Sequence, residues 1–214
     1  MKPNWIVRET ITAAAILFTA AVLCPAAQAA DIVDEWASTK MPPAPELKAV
    51  TVDPKTTALL LMDFLPKFYC TEKPRCMASL PAVKQLLTAA RSSGAAVIYT
   101  VAGDFTTADI LKDVAATGIE PSVKGKADKF INTDLDKILK DKGVQAIIVT
   151  GTAANGAVLY TGSDAAMRGL KVIVPVDGLS GNDLYAEQLT VWQLAHGPGF
   201  AQQITLTRSD MIKF

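Results

Sequence analysis

The residue whose surroundings press hardest for a chemical explanation is Asp63. The apolar run Leu59, Leu60, Leu61, Met62 precedes it, and Phe64 and Leu65 follow. A carboxylate in that setting must be paired or protonated, because an isolated buried charge is costly. Acids perturbed in this way gather at functional sites, although a structural Asp bonding backbone amides at a loop entry fits the position equally well. Asp104 and Asp177 also follow apolar runs, "AAVIYTV" and "LKVIVPV". A second feature is the stretch "TGTAANGA", residues 150–157, which follows "VQAIIV" and leads into a helical pattern. Such a turn is where an α/β enzyme presents a nucleophile or lets helix-start amides hold an anion. It contains no Cys, His or acid, so Asn155, Gly156 and Ala157 offer an amide cradle without a reactive group.

The remaining reactive side chains are few. Cys70 and Cys76 lie in "YCTEKPRC" and Cys24 lies in an apolar N-terminal stretch. That stretch has Lys2 and Arg8, an apolar run from Ile11 to Leu23, and the small-residue pattern Ala27, Gln28, Ala29. This is the layout of a secretory signal peptide over residues 1–30, cleaved near Ala29 or Ala30. The apolar run is shorter than the roughly 18 to 20 residues a membrane span needs. The mature chain is therefore expected to be exported, with the periplasm its expected compartment and no membrane association after cleavage. Export favours a disulfide between Cys70 and Cys76. Two free thiols, with Cys70 as a catalytic one, are the alternative. Two cysteines without a nearby His do not make a structural zinc site, and no metal or cofactor is expected.

These residues need elements to position them. Segments that are apolar throughout, "TTALLLMDF", "AAVIYTV", "VQAIIVTG", "LKVIVPVDG" and the shorter "AQQITLT", read as strands. Between them, "LPAVKQLLTAARSSG", "TDLDKILKDKG", "AVLYTGSDAAMRG" and "DLYAEQLTVWQLAHG" read as helices. Buried strands alternating with helices predict a three-layer α/β/α sandwich around a mostly parallel sheet, with ligands beyond the carboxyl ends of the strands. The Pro-rich residues 31–55 read as an N-terminal arm and residues 56–214 as one domain. In the last helix region Leu184, Tyr185, Leu189, Trp192 and Phe200 suit a subunit contact or the core, and the core is the default for such residues. His196 reads as a helix-end residue favoured by the dipole. The 21 basic and 21 acidic residues balance, and no basic stripe with interleaved aromatics argues for nucleic acid.

The order "ALLLMDF", then "KGKADKFINTDLDKILKDKGVQAIIVTGTAANGAVLYTGSDAAMRGLKVIVPVDGLSG", resembles the isochorismatase-like hydrolases, or cysteine hydrolase superfamily, across Thr56 to Phe214. That family includes nicotinamidases and N-carbamoylsarcosine amidases. The resemblance implies a catalytic set of Asp, Lys and Cys. Asp63 matches the Asp; Lys124 is the best match to the Lys, with Lys126 as fallback; the Cys position is occupied by Ala157. It further implies substrate binding around Thr152, Ala153, Asn155 and Gly156, with a non-proline cis peptide near Thr152 and Ala153. The family's metal motif, an Asp followed two residues later by His, is absent at Asp104, and Leu65 stands where Gln or Asn is frequent.

A methyl group cannot attack a carbonyl, so thiol chemistry at position 157 is excluded. True isochorismatases resemble this chain in carrying a small residue there; they cleave a vinyl ether with the Asp as general acid. The expected function is an exported hydrolase of a small amide or vinyl ether working through Asp63 and Lys124. The alternative is an inactive binding protein on the same fold. Family members commonly self-associate, so a homo-oligomer is a further implication of the resemblance.

Overall fold

The structure, a computed structural model, describes residues 30–214. The expected signal peptide lies outside the described residues except for Ala30. Two compact units are present, one ending at Pro42 and one spanning Pro43–Phe214. In the first, the described residues are exposed and form a single helical turn, Trp36–Ser38.

The second unit runs β1 (Val50–Thr51), β2 (Thr57–Met62), α1 (Pro74–Ser93), β3 (Ala96–Val101), β4 (Ser122–Lys124), α2 (Leu135–Asp141), β5 (Ala146–Thr152), α3 (Leu159–Met167), β6 (Lys171–Pro175), β7 (Leu179–Ser180), α4 (Leu184–His196), β8 (Ile204–Thr207) and β9 (Ile212–Lys213). The main sheet has the order β4-β3-β2-β5-β6-β8, with β7 pairing the end of β5. Every pairing in it is parallel. β1 and β9 form a separate parallel pair, and the Lys48 amide donates to the Leu206 carbonyl. The segment expected to be an arm up to residue 55 is thus tied into the domain from Lys48 onward, because its backbone finds partners in the C-terminal strands.

β2 explains the layering. All six of its residues are buried, and a strand turns alternate side chains to opposite faces. Leu59 and Leu61 pack with Leu80, Val83, Leu87 and Ala90 of α1, whereas Ala58, Leu60 and Met62 pack with residues of α2, α3 and α4. The sheet is therefore covered on both faces, as its unbroken apolar strands require.

Two elements depart from the sequence expectation. α1 starts at Pro74 and not at Leu80, so Pro81 lies inside it and provides no amide for the turn before it. Pro suits the first helical turn, and Pro74 takes that place. On α4 the buried residues are Ala186, Thr190 and Leu194. Leu184, Tyr185, Leu189 and Trp192 are exposed, so the core assignment is corrected for all but Phe200. Ala186, Thr190 and Leu194 thus pack inward, and the aromatic side chains of Tyr185 and Trp192 fall on the exposed face.

Candidate functional site

The sheet order places a crevice between β2 and β5. From β2 the chain proceeds outward through β3 and β4, and from β5 it proceeds the other way through β6 and β8. Such a reversal opens space at the carboxyl ends of the two central strands. Met62 is in register with Thr100 on one side and Gly151 on the other, so Asp63 emerges between the ends of β3 and β5. Close approach of these strands demands glycine at 151. Its φ is +146°, and a Cβ there would lie 2.4 Å from the Met62 carbonyl oxygen.

Asp63 has a positive φ of 56° and is 4% exposed. Its Oδ1 accepts from the Thr100 hydroxyl at 2.7 Å, and its Oδ2 accepts from the Lys129 ammonium at 2.6 Å. Burial pushes the Asp63 carboxyl above its ordinary value of 3.8, against the opposing pull of the Lys129 charge and the hydrogen bonds from Lys129 and Thr100. Removal from water outweighs the partners because both side chains are almost fully buried, at 0% and 6% exposure.

The lysine is the principal correction to the sequence reading. Lys124 is exposed at the end of β4, and Lys126 is exposed at the rim; neither bonds Asp63. Lys129 does so because the loop carrying it is fastened around its own backbone. The Lys129 amide donates to the Thr161 hydroxyl at 3.1 Å, the Thr133 hydroxyl donates to the Lys129 carbonyl, and the ammonium also donates to the Gly125 carbonyl at 3.3 Å. The next residue, Phe130, is buried beneath the Arg168 guanidinium, 4.5 Å from the ring centroid. Adjacency to this buried ring was no signal, since Ile131 on its other side is 60% exposed.

Asp63 lies on a cavity of ≈ 330 Å³. Its lining comes from the segment after β2 (Phe68, Tyr69, Lys73), the end of β3 (Ala102, Gly103) and the loop after β4 (Gly125, Lys126, Ala127). Thr152, Ala153 and Ala157 complete it, so the buried Ala157 and the Asp63 carboxyl share one chamber. The peptide bond between Thr152 and Ala153 is cis. The cradle differs from expectation. Asn155 is exposed and not among the lining residues, and the Gly156 amide donates to the Ala153 carbonyl at 3.0 Å. The wide turn of π-helix over Ala154–Val158 folds that amide back on its own chain, which removes it from ligand duty.

The other candidates do not line the cavity. Asp177 accepts from the Ser209 amide and hydroxyl, both at 2.8 Å, and Asp104 is exposed. His196 ends α4 and stacks on Trp192. Cys70 and Cys76 form a disulfide, so no free thiol exists among the described residues and Cys70 is not a relocated nucleophile. Among the described residues, no group of three or more His, Cys, Asp or Glu side chains is placed to hold a metal ion.

The model of the isochorismatase domain matches residues 57–208, which is most of the chain. The chain belongs to the isochorismatase family. Among solved structures of similar fold are a cysteine hydrolase from Pseudomonas syringae pv. phaseolicola and an N-carbamoylsarcosine amidase from Thermoplasma acidophilum. The first is 22% identical, with a TM-score of 0.66, covering 78% of this chain and 95% of that one. The second is 19% identical, with a TM-score of 0.62, covering 72% and 97%. An uncharacterized isochorismatase family protein of Bacillus subtilis is 38% identical over 60 residues, which span 28% of this chain and only 33% of that relative. The mostly parallel sheet flanked by helices matches the fold of such structures.

Proposed function

We propose that this chain is an exported hydrolase of small molecules that works through Asp63, paired with Lys129, and forms no covalent intermediate on a thiol. The observation that carries the reading is the Asp63 carboxyl, buried in the cavity wall, bonded by Thr100 and Lys129, in a chamber whose remaining wall includes the Ala157 methyl. With an amide substrate, Asp63 acts as general base. It takes a proton from a water whose oxygen attacks the carbonyl carbon, and it returns the proton to the nitrogen as the C–N bond breaks. With a vinyl ether, the protonated carboxyl instead delivers its proton to the terminal vinyl carbon; water adds to the oxocarbenium carbon so formed and gives a proton back to Asp63, and the hemiketal collapses with cleavage of its C–O bond to an alcohol and a carbonyl product. Lys129 stabilises the carboxylate and so supports the base, whereas burial supports the acid.

A second reading rests on the same Ala157: a binding protein that keeps the chamber and lacks turnover. A screen of mature protein against small amides and vinyl ethers separates the two. Asp63→Asn is expected to abolish any hydrolysis found while leaving the circular dichroism spectrum unchanged. Hydrolysis that survives this substitution would remove Asp63 from the mechanism; no hydrolysis of any substrate favours the binder. Ala157→Cys adds a third arm. If the chamber remains built for acyl transfer, the new thiol should react with iodoacetamide faster than the same thiol in denatured protein.

A further inference from the structure

Lys129 reaches Asp63 from a segment that is held on both sides by groups outside the cavity lining. Thr161 and Thr133 fix the Lys129 backbone at its amide and its carbonyl. Its two neighbours answer to Arg168. Phe130, which follows it, is buried with the Arg168 guanidinium 4.5 Å from its ring centroid. Asp128, which precedes it, accepts from the Phe130 amide at 2.9 Å and feels the charges of Arg168 and Asp164. A cation at the end of a helix such as α3 is favoured by the dipole wherever it points. The buried ring and the acids around it set Arg168 apart from such a cap.

Carboxylates from three segments surround this guanidinium. Asp164, one turn back on α3, accepts from Arg168 Nε at 3.0 Å and pairs with Nη2 at 2.9 Å. Asp136, in the first turn of α2, pairs with Nη1 at 3.5 Å, and Asp128 adds its charge from the loop. Lys140 is the other cation of the group, and it lies against Asp136 at 2.6 Å. Asp128 and Asp164 therefore depend on Arg168. Burial raises the Asp128 carboxyl above its ordinary value, the charge and hydrogen bond of Asp164 raise it further, and the Phe130 amide and Arg168 oppose them. Without the guanidinium, two carboxylates face one another beside Lys129 and repel, while the Phe130 ring loses its cover. The side that yields is the loop, because α3 is fastened to the core by Ala165 and Ala166.

We propose that Arg168 is a positioning residue: by covering Phe130 and drawing Asp128 and Asp164 together, it holds the Lys129 ammonium against Asp63 from outside the cavity. This assignment rests on the hydrolase reading above, in which the Lys129 charge supports Asp63 as a base, and it puts the control of that charge at the protein surface. Arginine suits the task. Its planar guanidinium lays a face on the ring while its edge pairs with carboxylates, a combination that a lysine ammonium does not reproduce.

A mutant cycle read at Asp63 tests this without a substrate. Carbon-detected NMR follows the Asp63 carboxyl in wild type, Lys129→Met, Arg168→Met and the double variant. In the wild-type background Lys129→Met should shift the Asp63 titration upward, as loss of the opposing charge requires. In the Arg168→Met background the same substitution is expected to produce less than about half that shift, because the ammonium is no longer held in place. Arg168→Lys should restore part of the coupling, since it returns the charge without the planar fork. An arginine that serves only the fold would lower the melting temperature and leave the shift unchanged. That result, or no shift in either background, overturns the proposal. If the double variant does not fold, amide hydrogen exchange in Arg168→Met alone decides. The Lys129 amide should then exchange about tenfold faster than in wild type while the amides of β2 hold, and an unchanged Lys129 amide overturns the proposal. Asp63→Asn keeps the two readings apart. Hydrolysis that survives it removes the hydrolase mechanism and leaves the cycle standing, whereas an unchanged shift removes Arg168 and leaves the mechanism.

Discussion

Two lysine–aspartate pairs in this chain close to the same distance, 2.6 Å, and behave in opposite ways. Lys140 and Asp136 lie on α2, with side chains 75% and 36% exposed, and the Lys140 hydrogen bond holds the Asp136 carboxyl below its ordinary value. Lys129 and Asp63 are 0% and 6% exposed, and burial drives the Asp63 carboxyl upward despite the same kind of partner. Contact geometry is common to both, so solvation makes the difference. On α2 water solvates whatever the pair leaves unsatisfied, and the bridge adds little to stability. At the end of β2 both ions have lost water, a cost that their mutual attraction seldom exceeds, so the pair is weak evidence for stability and good evidence for a site.

The comparison is broken most forcefully by removing one member of the buried pair. Lys129→Met at neutral pH should destabilise the fold by about 3–5 kcal/mol, since it strands a buried carboxylate. Urea denaturation measures it, and a loss below about 1 kcal/mol would mean that water reaches Asp63 freely. Combining Asp63→Asn with Lys129→Met should recover most of that loss without restoring activity, because a neutral pair no longer demands solvation. An additive double variant would contradict the coupling.

Reduction of the disulfide, which spans a sequence separation of 6, should cost about 2 kcal/mol by the loop-closure argument. It should also loosen the Phe68–Lys73 wall without affecting the buried pair. A melting temperature unchanged by reductant would remove the disulfide from the stability account. At the small end, Lys140→Ala should leave the unfolding midpoint where it is, and a clear drop would show that the α2 pair is more than a solvated bridge.

The same contrast explains what was legible in the sequence. The α2 pairs repeat at i, i+4 in "TDLDKILKDKG", a local pattern written directly into the chain. Lys129 lies 66 residues from Asp63, and nothing local marks it. Asp63 was visible because an acid at the end of an apolar strand needs an explanation. Ala157 was visible because the turn around it resembled one that should carry a thiol. The strands β2, β3, β5, β6 and β8 were legible from their unbroken apolar runs. β4 was not, since it has three residues with only Val123 buried. The π-turn that occupies the Gly156 amide is a backbone event with no side-chain signature, which is why Asn155 and Gly156 were assigned to a cradle they do not form.

Asp63 is a buried carboxyl whose proton affinity desolvation raises and Lys129 opposes. Carbon-detected NMR titration of the aspartate carboxyls tests this without any substrate. The wild-type protein should show one carboxyl, absent from Asp63→Asn, that titrates above 3.8. In Lys129→Met it should titrate higher still, because the opposing charge is gone. The sign extends to stability. A carboxyl whose pKa is raised in the folded state holds its proton to higher pH there than in the unfolded chain. Wild type should therefore lose stability relative to Asp63→Asn as pH rises from 3.8 through the raised value, and the difference should then level off. A carboxyl at position 63 that titrates at or below 3.8, and does not move when Lys129 is replaced, would contradict the account at its centre.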